Sequence, residues 1–368
     1  MKTPELTIGI EEEYQIIDPA TRELTSYVQE LLEQGRVVLK DQIKPEFLQS
    51  QIEVGSHICH NIQEARQELI RLRRSVRDVV TANGLVMAAA SSHPFSAWSQ
   101  QHITEDERYI KHLEAMAMVA RRLLIFGMHV HVGIKDRELM IDVMDQARYF
   151  VPHLLALSTS SPFWLGRETG LKSYRSIVFE NLPRTGLPPN FQSWSEYQRF
   201  IDTLVKTGSI DEPTKIWWDI RPHPRFPTLE FRMTDICTTI DEAICIAALI
   251  QGIVAKLVRL RRSNQSWRRY RHHLISENKW RAVRYGIEGK MIDFGKQREV
   301  PLPVLAEELL EWLDEVVDDL GIRQDTDYVR TILEHGTSAD RQLATYHRTG
   351  DLNEVVDQLV AETQLGLD

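Results

Sequence analysis

Leu6–Ile17, LTIGIEEEYQII, reads as a β-strand whose centre is occupied by three consecutive glutamates. Side chains alternate across a strand, so Glu11 and Glu13 project to one side and Glu12 to the other. The same two-residue spacing recurs in GMHVHVGI (127–134), where His129 and His131 flank Val130. It recurs again in PTLEFRMTD (227–235), where Glu230 and Arg232 flank Phe231. A fourth strand, SQIEVGS (50–56), adds Glu53; Glu46 lies seven residues earlier and joins that face only if the chain turns between them. Taken singly, these pairs describe a wet sheet face, a half-buried histidine pair and a cross-strand ion pair. On one shared sheet they would crowd four acids and two histidines together, a repulsion that cations relieve. Such a carboxylate-rich set suits Mg²⁺ or Mn²⁺ more than zinc.

Around these strands the chain alternates irregularly between strand and helix. Thr25–Gln34 has helical spacing, and Asn61 caps a long helix that Asn83-Gly84 ends. Ile43–Ile58 reads as a strand, Leu123–Ile134 as another, and residues 160–195 as one long irregular segment rich in glycine and proline. From Asp241 onward everything reads helical, including Ala243–Arg262 and Gln265–Arg284. The expected class is α+β with a mostly antiparallel sheet, in a single domain over 1–368 whose part from about 241 is helical.

With 368 residues, 42% of them hydrophobic, and no repeat or flexible linker, the chain is long enough to bury a sizeable core. A net charge of -9 argues against nucleic acid as the main partner. The opening residues lack a signal-peptide layout, and the longest apolar run, Ala243–Val258, is interrupted by Gln251, Gly252 and Lys256, so no membrane span is expected. Cys59, Cys237 and Cys245 follow no metal or disulfide spacing, which suits a reducing, cytoplasmic setting. Lys256–Arg284 is strongly basic and Glu307–Asp319 acidic; the basic run is either a solvated helix face or a local anion site.

Phosphate and nucleotide chemistry has no P-loop or G-x-G-x-x-G to rest on, and nucleophilic hydrolysis no G-x-S-x-G. A phosphoryl-transfer enzyme of this kind must hold its nucleotide through metal and arginine. Arg175, Arg184, Arg221, Arg225, Arg232 and Arg284 stand in Gly/Pro-bounded or aromatic contexts that fix a guanidinium fork. Arg232 is singled out by its place two residues from Glu230. A metal-dependent amide or peptide hydrolase and a non-catalytic nucleotide-binding module are the competing readings.

The ordered set GIEEEYQIID, SQIEV, SSHPF, GMHVHVGI, YRSIVFENLPRTGLPP, WDIRPHPRFPTLEFRMTD and ENKWRAVRYG spans almost the whole chain. In that order it resembles the carboxylate–amine ligases of the type 2 glutamate–cysteine ligase family, relatives of glutamine synthetase. The resemblance implies a glutamine-synthetase-like fold, a curved sheet forming a funnel with helices outside, and use of ATP with Mg²⁺ or Mn²⁺. It implies an acyl-phosphate route to an amide bond between small carboxylate and amine substrates, glutamate and cysteine being the pair the family name suggests. Carried over by motif, Glu11, Glu13, Glu53, His129 and Glu230 correspond to metal ligands, and Glu46 to a further acidic position. Arg232 and Arg221 correspond to catalytic, phosphate-contacting arginines, with Arg225 and His131 beside the nucleotide and His131 or a carboxylate as proton acceptor. Arg175, Arg184 and Arg284 are expected at substrate carboxylates, the first two from a segment closing the substrate end. Gln49 stands where many relatives carry another acid. A homo-oligomer is compatible with this reading.

Overall fold

A computed structural model describes residues 5–26 and 28–368. Met1–Pro4, on which part of the signal-peptide reading rests, and Tyr27, within the helix expected over Thr25–Gln34, lie outside the described residues. The centre is a seven-stranded sheet built from β1 (Ile8–Ile17), β2 (Ile43–Pro45), β3 (Gln51–Gly55), β4 (Val86–Ala88), β5 (Met128–Gly133), β6 (Ile220–Pro222) and β7 (Thr228–Phe231). Its order is β6-β7-β5-β1-β3-β2, with β4 also paired to β1, and every pairing is antiparallel. This is the α+β class that the irregular strand spacing predicts.

Alternation divides β1 cleanly. Ile8, Ile10, Tyr14 and Ile16 are buried, while Glu11 and Glu13 are only partly so. Glu12, between them, is fully buried and needs a partner. Arg73 supplies it from the helix Ile62–Ala82, donating Nε to Glu12 Oε2 at 2.8 Å and Nη2 to Oε1 at 2.6 Å. The guanidinium also donates to the carbonyls of Thr238 (2.7 Å) and Cys237 (2.8 Å), and Tyr14 donates its hydroxyl to Glu12 at 2.5 Å. That helix begins where Asn61 accepts from the Glu64 N–H, as the sequence predicts. Beside it runs Ile240–Arg262, buried along most of its length and opened by a Thr239–Glu242 capping box. It is the one described helix apolar and long enough to cross a membrane, yet 89% of its most apolar window lies inside the protein. One apolar cluster extends from Leu6 to Leu367.

Several sequence expectations are corrected here. Ile43–Ile58 is two short strands, β2 and β3, joined through a turn at residues 46–50. The stretch 160–195 is not wholly irregular, because Tyr174–Phe179 is helical and another helix starts at Trp194. The helix read over Gln265–Arg284 begins only at His272. The C-terminal part is not entirely helical: Lys290–Asp293 and Arg298–Pro301 form a hairpin. Propensity alone does not reveal a hairpin this short, because its pairing is decided by packing. The basic and acidic runs partly meet: Lys256 reaches Glu315 at 2.6 Å and Arg259 reaches Asp319 at 3.1 Å. All three cysteines are free and buried.

The Glu12–Arg73 pair is enclosed by apolar residues, so removing one partner leaves an uncompensated charge. Arg73→Met should lower the unfolding free energy in urea by about 3–5 kcal/mol. A Glu12→Leu/Arg73→Met double variant should recover most of that loss; an additive double variant would show that the pair is not coupled.

Candidate functional site

Strand register assembles the polar residues into three rows across one sheet face. In the first, β1–β5–β7–β6 pairing aligns Gly9, His131, Glu230 and Arg221. In the second, Gly55, Glu11 and His129 are aligned, and Arg232, whose N–H donates to the Asp219 carbonyl at 2.8 Å, continues the row. In the third, Lys44, Glu53 and Glu13 align, and Glu13 donates its N–H to the Gly127 carbonyl at 3.2 Å. Four acids and both histidines therefore share one face, as the two-residue spacings predict. The turn after β2 brings Glu46 into the group.

Two clusters can each offer three ligand atoms within 4.8 Å of one another: Glu11, His131 and Glu230, and Glu13, Glu46 and Glu53. His129, expected as a ligand, lies outside both. Its Nδ1 is 3.4 Å from Glu11 Oε2 and 3.5 Å from Arg232 Nη1. His131 takes the ligand-like place instead. Its Nδ1 lies 3.1 Å from Thr228 Oγ1, while its buried Nε2 has no hydrogen-bond partner among the described residues and stands 3.6 Å from Glu11 Oε2. A ring held at Nδ1 with Nε2 unspent is the arrangement that ligating histidines adopt.

The two clusters differ in electrostatic state. Burial and the neighbouring Glu53 push Glu13 up to about 7, and Glu46 is raised well above the usual carboxylate range by burial, Glu53 and Glu13. Around Glu11, burial is outweighed by the hydrogen bonds of His129 and His131, which hold its carboxyl well below the ordinary value. Glu230 is likewise held low despite burial, by Arg221 and Arg232. His129 is depressed to about 4 by burial and by Arg232. One cluster is short of positive charge and the other is already supplied with it.

The arginines separate into distinct positions. Arg221 grips Glu230 through Nε (2.8 Å) and Nη2 (3.2 Å), and its Nη1 donates to the Thr214 and Ile216 carbonyls. Arg232 donates Nη1 to Glu230 but keeps a buried Nε without a partner among the described residues. Arg175 comes from the Tyr174–Phe179 helix and donates to the carbonyls of Met233 (3.4 Å) and Arg232 (3.2 Å), with its Nε unpartnered among the described residues. It covers Gly127 so closely that an added Cβ there would stand 2.5 Å from Nη2. The other three lie apart. Arg184 donates to the Lys215 carbonyl at 3.0 Å and sits over Trp217, Arg284 donates to the Gly170 carbonyl, and Arg225 is exposed, 3.6 Å from Glu212.

A glutamate–cysteine ligase family 2 model matches residues 7–358. The chain belongs to that family. It is 57% identical over 361 residues to "Putative glutamate–cysteine ligase 2" of Herpetosiphon aurantiacus, covering 98% of this chain and 94% of the relative. The Solibacter usitatus protein of the same name is 53% identical over 365 residues, covering 99% and 95%. In fold, the chain is similar to a glutamate–cysteine ligase from Francisella tularensis in complex with AMP, at TM-score 0.73 and 12% identity over 99% of this chain and 90% of that one. A bifunctional glutathione synthetase from Pasteurella multocida gives the same TM-score at 14% identity, over 98% of this chain and 52% of that one.

In this glutamate–cysteine ligase family 2 chain, sequence reading missed several residues of the polar face. Asp219 lies beside Arg232, and Lys279 binds both of its carboxylate oxygens, at 2.8 and 2.7 Å, as well as Glu180 at 2.8 Å. Lys44 places its ammonium 3.2 Å from Glu53 and 4.0 Å from Glu11. Gln51 donates to Glu13 at 2.9 Å, as does the Gly127 N–H at 2.7 Å. Asp219 had a readable signal, since it stands two residues before Arg221 and shares its face. Lys279 had none, because it approaches from a helix.

The Glu13–Glu46–Glu53 crowding has a measurable cost. Glu46→Gln should raise the melting temperature of metal-free protein by about 1–3 °C, an effect expected for relief of roughly 1 kcal/mol. The same variant should lose most of the stabilisation that MgCl₂ or MnCl₂ confers on the wild type. An unchanged metal-dependent shift would remove this cluster as a cation site.

Proposed function

We propose that this chain is an ATP-dependent carboxylate–amine ligase that forms an amide bond through an acyl phosphate. Glutamate and cysteine are the first substrates to test, because the family and the named relatives carry them. The observation that carries the reading is the juxtaposition, on one face, of two acidic clusters with the unspent guanidinium nitrogens of Arg232 and Arg175. Acids alone would suit many metal enzymes; acids beside fixed, unsatisfied forks suit phosphoryl transfer.

The residues fit a hard divalent cation. The unpartnered Nε2 of His131, the oxygen-rich donor set and the upward push on Glu13 and Glu46 are each relieved by one. Glu11, His131 and Glu230, or Glu13, Glu46 and Glu53, would hold Mg²⁺ or Mn²⁺. When bound, such an ion supplies positive charge that screens phosphate oxygens from an incoming carboxylate.

The chain's own groups do the rest. Arg232 directs Nε and its remaining N–H groups at a phosphoryl group above the face, stabilising charge on the equatorial oxygens. Arg221, committed to Glu230, holds that carboxylate still and so positions Arg232, which shares it. A substrate carboxylate oxygen bonds to the γ-phosphorus as the bond to the ADP oxygen breaks. The amine nitrogen then attacks the acyl carbon, phosphate departs, and a carboxylate of the face accepts the amine proton. His131 is better placed for the ligand set than for that proton. Lys279 and Asp219 fix the edge of the face next to Arg232.

Hydroxylamine supplied in place of the natural amine should trap the acyl phosphate as a hydroxamate. ADP and phosphate should appear in equal amounts, only with ATP, a divalent cation and the correct acid together. Hydrolysis of amides or peptides without ATP would overturn the ligase reading in favour of a metal-dependent hydrolase. Gly127→Ala should leave the fold intact but displace Arg175, lowering kcat/KM by about 10–100-fold, the range for a misplacement near 1 Å. Unaltered kinetics in that variant would take Arg175 out of the reaction.

A further inference from the structure

Just past the end of β7 stands a carboxylate that the reaction outlined above does not use. Asp235 has no exposed surface, and the three hydrogen-bond donors described for it are all neutral. Its Oδ2 accepts from the Ser160 N–H at 2.9 Å and from the Ser161 hydroxyl at 2.7 Å, and its Oδ1 from the Ser173 hydroxyl at 2.8 Å. A carboxylate in that setting is a cost to the fold, since an apolar side chain of similar volume would need no partners. The charge that answers it is Arg175: burial pushes the Asp235 carboxyl up, and the nearby guanidinium draws it back.

Asp235 grips the helix that carries Arg175. Ser173 stands at the N-cap of Tyr174–Phe179, where a serine hydroxyl ordinarily accepts from the first turn. Among the described residues its side chain makes no such cap; it donates to Asp235 and lies 2.9 Å from Ser176 Oγ. The Arg175 N–H is taken instead by Ser161 Oγ at 3.1 Å, and the Tyr174 N–H by the Ser161 carbonyl at 2.9 Å. The Ser161 hydroxyl spends its one proton on Asp235, which turns its lone pairs toward Arg175. Through its backbone Asp235 also pairs with Gly127, whose N–H donates to Glu13 and over which the Arg175 guanidinium lies. One residue therefore holds both sides of the gap that Arg175 fills. The hydrogen bonds described for the guanidinium go to backbone carbonyls, so its place along the face follows from where this helix starts.

We propose that Asp235 is a positioning residue of the ligase, setting Arg175 on the polar face through Ser161 and Ser173. The proposal rests on the ligase reading, in which the unspent nitrogens of Arg175 meet a phosphoryl or substrate oxygen. Asp235 itself touches no reacting group. Its charge orients two hydroxyls and balances the guanidinium from behind, so helix start and fork are fixed together.

The test compares Asp235→Asn, Arg175→Lys and the double variant, each in the full chain, by ATP-dependent hydroxamate formation. Asp235→Asn keeps the shape of the side chain and removes its charge; the amide oxygen accepts from Ser160 while the amide nitrogen donates to the Ser173 hydroxyl. It should lower kcat/KM by about 10–100-fold, the range for a misplacement near 1 Å. The double variant should be no slower than Arg175→Lys alone, because both changes remove one interaction. A purely structural role would instead multiply the two losses; that product, or an unaltered kcat/KM in Asp235→Asn, overturns the proposal. A crystal structure of Asp235→Asn supplies a readout without turnover. The Arg175 guanidinium should leave the Arg232 and Met233 carbonyls, and a guanidinium still seated on both overturns the proposal. A wild type that forms no hydroxamate with any acid fails the ligase reading, while the crystal comparison still decides whether Asp235 sets Arg175. If Asp235→Asn does not fold, Ser161→Ala, which cuts the link to the Arg175 N–H, takes its place in both measurements with the same outcomes.

Discussion

One constraint organises the molecule: β1 must keep Glu11 and Glu13 on one face and Glu12 on the other. A slip of one residue would exchange them, sending two acids into the apolar layer and Ile10 and Tyr14 out of it. The Glu12–Arg73 pair penalises that slip heavily, because it would break a buried, hydrogen-bonded ion pair. Apolar burial alone would favour the same register, but a buried, hydrogen-bonded charge pair punishes errors more sharply than it rewards success. The pair also joins the strand to the Ile62–Ala82 helix and to the carbonyls before Ile240–Arg262. The polar face is therefore registered from behind.

On the front, charge is balanced unevenly. Glu230 and Glu11 stay ionised because arginines or histidines touch them, whereas Glu13 and Glu46 are driven toward their protonated forms by burial and by Glu53. Lys44 is the only cation that contacts the second cluster directly among the described ion pairs, and it is half exposed. Such a face is stable without metal only at the expense of held protons. A divalent ion would replace protons at one cluster while finding preformed anions at the other, so the two clusters should differ in their pH dependence of occupancy.

Much of this was legible because strands report their faces by counting. E-x-E, H-x-H and E-x-R each needed no more than alternation, whereas the shared sheet was a condition that the pairing of β1, β3, β5 and β7 meets. Glu46 was legible only conditionally, since its seven-residue offset from Glu53 required a turn that propensity did not resolve. His129 and His131 illustrate a finer limit. Spacing places both on one face, but which imidazole turns toward the acids depends on Thr228 and Arg232, held on a different strand. Lys279 lay beyond reach for another reason. It comes from a helix, where the sequence shows only an ordinary basic residue and tertiary packing alone buries it. The Lys290–Pro301 hairpin escaped because it is short and lies among helices.

Both margins of the central sheet are three-residue strands that end in proline, at Pro45 in β2 and Pro222 in β6. A proline there offers no N–H to an incoming strand, and three residues give little length on which one could align. Those two margins thus resist strand addition from another molecule, which keeps the polar face and its arginines out of a cross-β contact there. A protein that must keep a crowded row of charges accessible gains from edges that resist templating. In a concentrated solution, the brevity of β2 and β6 guards against aggregation as the long central strands alone could not.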